Sequence, residues 1–146
     1  MKISSRVEPL VRNALDAAVK RDFPKLDAAL KTFPDDQTTK QGVELVLAVT
    51  LYVLHDIHRG KPSEAETRAV AAEIARAETW ARPTETETSE FLLKLVDGQP
   101  FAPSVPTENV FILAFVSAAN LLSSCRRDDE EWWNYLDRAE AAIEVS

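Results

Sequence analysis

Cys125 is the only cysteine among the chain's 146 residues. A lone cysteine rules out an internal disulfide and any multi-cysteine metal site. The three glycines, Gly42, Gly60 and Gly98, are too few and too scattered to build a phosphate-cradling loop of the Walker or dinucleotide type. No apolar run reaches the roughly 20 residues of a membrane-spanning helix. The two most apolar stretches, 43–54 and 110–122, are better suited to buried helices. The first ten residues carry no apolar run of the kind that follows the charged start of a secretory signal. Together these absences lead to the expectation of a cytoplasmic protein with no membrane role.

Histidine is almost as scarce. His55 and His58 stand alone, in the stretch "LHDIHRG". The adjacent His55–Asp56 pair resembles the dipeptide of metal-dependent phosphohydrolases, but that chemistry takes a further histidine upstream and none precedes position 55. A carboxylate-bridged di-iron bundle needs Glu-x-x-His twice, and Tyr52 and His55 occupy the positions where those glutamates would stand. What remains is a His-x-x-His pair, half of a metal site at most. Near a helix C-terminus, the partial positive charge of the two rings also suits the dipole. A metal-assisted enzyme using His55, Asp56 and His58 is therefore an alternative reading, and the leading expectation is a chain with no metal, no cofactor and no catalysis.

Two further chemistries lack their residues. No serine has a nucleophile-elbow context, and Cys125, despite the neighbouring Arg126 and Arg127, is read as a small core residue. A phosphate-tracking face needs clustered basic side chains. The densest set, Lys20, Arg21, Lys25 and Lys31, is interleaved with Asp16, Asp22 and Asp27. Nucleic acid is not an expected partner.

What the chain does have is helix-forming composition, rich in Ala and Leu. Val7, Leu10, Val11, Ala14, Leu15 and Ala18 recur at helical spacing over 7–21. Phe23, Leu26, Leu30 and Phe33 continue the pattern to Pro34, so the first two helices form a hairpin. A third helix is expected over 39–59, capped by Gly60. A fourth is expected from a Ser63/Glu66 capping box to about Trp80. The fifth should bury Phe91, Leu92, Leu95 and Val96 before Gly98, and a connector with prolines at 100, 103 and 106 follows. The sixth helix is expected over 107–124. The seventh should start at Asp128, with Glu131 completing a second capping box. The third and sixth helices are apolar almost all round, which places them at the centre. The fold expected is thus all-α, a single-domain bundle of about seven helices over residues 1–146.

Charge and two tryptophans supply the functional expectation. Net charge is −7, and residues 83–146 hold twelve acidic against four basic side chains. On the last helix Trp132, Leu136, Ala139 and Ile143 make the packing stripe. Trp133 is turned about 100° away, in line with Asp137, Glu140 and Glu144. An aromatic ring exposed among charges has the composition of an interface hot spot. The expected function is a non-catalytic module whose acidic surface captures a basic protein, such as a toxin neutralised by an immunity protein or antitoxin. The expected contact residues are Trp133, Asp129, Glu130, Asp137 and Glu140. A structural subunit of a homo-oligomer, with Trp133 sealing a symmetric interface, is the other alternative.

Overall fold

The computed structural model describes residues 1–99 and 108–146. The expected proline connector and the expected start of the sixth helix at Thr107 lie outside the described residues. Among those described, the fold is all-α, with no strand. The helices are α1 (Glu8–Val19), α2 (Phe23–Leu30), α3 (Asp36–His58), α4 (Glu64–Ala77), α5 (Glu85–Val96), α6 (Glu108–Ser124) and α7 (Trp132–Val145), and Thr79–Ala81 form a single 3-10 turn.

Helix ends follow local chemistry. α1 closes with Arg21 in the left-handed region at φ 56°, and Asp22 then caps α2 by accepting from the Lys25 N–H. α2 stops at Leu30, sooner than its apolar spacing suggests, yet Phe33 still reaches the core at 8% exposure. The Phe33 ring explains a glycine in the middle of a buried helix, because a Cβ on Gly42 would sit 2.5 Å from Phe33 Cε2. α3 begins before the expected Thr39, since Asp35 and Thr38 form a reciprocal capping box. At its far end the left-handed residue is Arg59, and Gly60 follows it; the Gly60 N–H reaches the His55 carbonyl at 2.8 Å, closing a Schellman-type turn.

Two further expected boundaries are corrected. α4 is capped by Ser63 and Glu66 as expected but ends at Ala77, so Trp80 belongs to the 3-10 turn. α7 starts at Trp132, not Asp128. Glu130 accepts the Arg127 N–H at 2.9 Å and holds 128–130 in a turn, and Asn134 then receives the Glu131 N–H at 2.8 Å. The acids that read as a first helical turn are loop.

The core is built around α3 and α6, which pack on each other. α1 lies against α2, α3 and α6, α7 against α3 and α6, and α4 pairs with α5. From Leu113 to Leu122 every residue of α6 is buried. α3 buries Val43, Leu45, Val46, Val49, Val53 and Leu54. Its one buried hydroxyl in that span, Thr50, donates to the Val46 carbonyl at 2.8 Å and so costs the core little. Each such aliphatic side chain contributes about 1.5–3 kcal/mol on leaving water, and this burial holds α7 in place and fixes which of its faces is left outside. No helix among the described residues is long and apolar enough to cross a membrane.

Candidate functional site

α7 buries Trp132, Tyr135, Leu136, Ala139 and Ile143, so its inward face is wider than the stripe read from spacing, with Tyr135 fully enclosed. Trp132 is 8% exposed and Trp133 is 45% exposed, the two rings meeting edge to face at 6.0 Å. The helix period separates them as expected. Both indoles line an open groove of about 600 Å³ shared with Glu8, Pro9, Arg12, Asn13 and Asp16 of α1. Trp133 is thus the exposed rim of a cleft between the first and last helices.

The acids expected beside it divide into two groups. Asp129 is exposed and, like Asp128 and Glu131, has no ion pair among the described residues. Asp137 is also open to solvent but binds Arg12, whose Nη2 lies 2.7 Å from Oδ1. Glu130 is turned inward, with a side chain only 12% exposed and Arg138 Nη2 at 2.7 Å. That Arg138 hydrogen bond holds the Glu130 carboxyl below its ordinary pKa. Glu140 is not part of an exposed wall at all: it is 9% exposed and meets Arg12 at 3.3 Å through Oε1.

Arg12 is the centre of this arrangement. Its Nη2 also lies 2.9 Å from Glu8 Oε2, so one guanidinium serves three carboxylates. Burial opposes the Arg12 charge, but hydrogen bonds to Glu8 and Asp137 outweigh it and raise its pKa. For Glu8, burial acts upward while hydrogen bonds to Arg12 and Glu140 prevail and lower it. Glu140 goes the other way: burial, then the contact with Glu8, push its carboxyl up to about 8. Its second oxygen, Oε2, is shielded from water and has no hydrogen-bond donor among the described residues.

In the histidine stretch, Asp56 and His58 bond in different directions. Asp56 accepts the Tyr135 hydroxyl at 2.6 Å and Arg138 Nη1 at 3.3 Å, whereas His58 Nδ1 pairs with the Leu54 carbonyl at 2.8 Å. The Tyr135 bond, with help from Arg138, lowers the Asp56 pKa, and burial together with Asp56 raises that of Tyr135. Arg138 lies over the Tyr135 ring, 4.2 Å from its centroid. These contacts tie the end of α3 to α7. Among the described residues, no three His, Cys, Asp or Glu side chains converge as metal ligands do.

One polar centre escaped the sequence reading. Glu78, 2% exposed, follows α4 and accepts Trp80 Nε1 at 2.8 Å, Asn120 Nδ2 at 2.9 Å and Arg21 Nη2 at 3.2 Å. It joins the α1–α2 link, the α4–α5 link and α6. The available signal was Asn120, an amide in a helix otherwise apolar through most of its buried span, which has to find a polar partner.

No protein-family model matches the chain, and neither a curated protein nor a solved structure does.

Proposed function

We propose that the protein is a non-catalytic binding module that captures a basic protein partner on the face carrying Trp133. The exposure of Trp133, at 45% on the rim of the α1–α7 groove, supports the reading most directly. A large ring already fixed against Trp132 loses little freedom on binding and adds much contact area. On the same helix and the turn before it, the exposed carboxylates of Asp128, Asp129, Glu131 and Asp137 supply a negative rim. Such a rim speeds encounter with a positive surface and selects against acidic ones. Glu130 and Glu140, held by Arg138 and Arg12, act in this reading as supports of the face and not as contacts. The concrete form proposed is a cytoplasmic inhibitor that occludes a basic toxin in the manner of an immunity protein or antitoxin.

The test is capture from native-cell extract on immobilised protein, eluted by a salt step, followed by affinity measurement with the released partner. A basic partner released by salt is expected. Trp133→Ala should weaken its binding by about 30-fold, the loss of a hot spot of about 2 kcal/mol. Asp129→Lys should slow association and reduce its salt dependence. An acidic partner, or equal affinity of wild type and Trp133→Ala, contradicts the proposal.

A further inference from the structure

The Arg12 cluster cannot be satisfied with every group charged. Three carboxylates surround one guanidinium, and the least exposed of them, Glu140, has one oxygen on Arg12 and the other shielded from water. Among the described residues, no N–H or O–H donor reaches that second oxygen. Glu140 shares the Arg12 Nη2 with Glu8, another carboxyl, itself bound to Arg12 through Nε as well. Two acceptors in contact repel unless a proton lies between them. A lone pair buried without a donor carries a desolvation penalty, heavier still for a charged group. One proton removes both difficulties: the Glu140 carboxyl gains an O–H to donate, and the cluster drops from three negative charges to two against Arg12.

We propose that Glu140 is a protonated acid that donates to the Glu8 carboxylate, and that this pair is a pH-sensitive latch fastening α7 to α1. The remaining neighbours do not supply the missing charge. On its own helix Glu140 faces Asp137, which adds repulsion. α6 brings no charged residue between Asn109 and Ser124. On α3, Asp56 is taken by Tyr135 and Arg138, and Glu44 lines a separate cleft with Met1 and Lys2. The Met1 ammonium binds the carbonyls of Ile143 and Ser146 at 3.1 Å and so ties down the end of α7 without reaching the Glu140 carboxyl. Loss of the proton to solvent leaves two abutting carboxylates between the helices and weakens their docking. The latch stands independently of what the groove binds, although Glu8 and Arg12 are walls of that groove.

Thermal unfolding of wild type, Glu140→Gln and Glu8→Gln between about pH 5 and about pH 9 tests the latch. The amide introduced by Glu140→Gln keeps a donor for Glu8 at every pH. That variant should therefore match wild type at the acidic end and exceed its Tm by several degrees at the alkaline end. The amide introduced by Glu8→Gln can donate to an ionised Glu140, so this second variant should flatten the wild-type decline over the same range. A Tm difference between Glu140→Gln and wild type that does not change with pH overturns the proposal. So does a Glu8→Gln protein that keeps the full wild-type decline.

Discussion

Glu78 and Glu140 are both nearly out of water, at 2% and 9% exposure, and the fold satisfies them in opposite ways. Glu78 receives N–H donors on both oxygens: Arg21 and Trp80 on Oε1, and Arg21 and Asn120 on Oε2. Among the described residues Glu140 receives a single donor, Arg12, on one oxygen, and its other oxygen receives none. Burial alone therefore does not decide what a carboxyl does. The count of donors does, because each unsatisfied lone pair favours the neutral form. The first glutamate is a hydrogen-bond hub that joins three parts of the chain, and the second is a titrating group at the junction of the terminal helices.

Removing the hub should have the largest effect. Glu78→Ala strips the acceptor from Asn120 Nδ2 and Trp80 Nε1, and two orphaned donors imply a loss of about 3 kcal/mol in urea unfolding. Much of the Arg21 contact is screened by solvent, its side chain being 58% exposed, so Arg21→Ala should cost well under that. Arg12→Ala comes next. It leaves Glu8, Asp137 and Glu140 without their shared cation and should cost about 2 kcal/mol near neutrality, less in acid as the carboxyls take up protons. If Arg12→Ala proves harmless at every pH, the two glutamates are not distinguished by their donors.

Glu140→Gln should be the mildest change, within about 0.5 kcal/mol of wild type in acid. Its effect then turns from neutral to stabilising as pH rises. The folded pKa of Glu140, about 8, lies above the ordinary carboxylate value. Its contribution is full below the unfolded pKa and is lost as pH climbs through about 8. Glu8, whose pKa is lowered, works in the opposite sense: its contribution is present above its unfolded value and lost as pH falls. Between the two, the decline on the alkaline side belongs to Glu140.

Much of the architecture was legible because it rests on periodicity. The spacing of Val7 to Ala18, the Ser63/Glu66 box and the apolar runs that became α3 and α6 are local patterns, and the structure follows them. So does the division of the tryptophans, since a helix turns adjacent residues about 100° apart. Boundaries failed where a competing hydrogen bond intervened, as when Glu130 turned back onto Arg127 and delayed α7 to Trp132. The acidic face was legible as composition but not as pairing. Nothing local tells that Arg12, on the first helix, will meet Asp137 and Glu140 on the last. Long-range polar partners are set by tertiary packing, and Glu78 was missed for the same reason.

The most direct measurement follows the side-chain carboxyl carbon of Glu140 by NMR from about pH 3 to about pH 10. The Glu140 signal should titrate with a midpoint of about 8 and lose that midpoint when Glu8 is replaced by glutamine. A Glu140 midpoint in the ordinary carboxylate range, near about 4 as in a model peptide, would contradict the account.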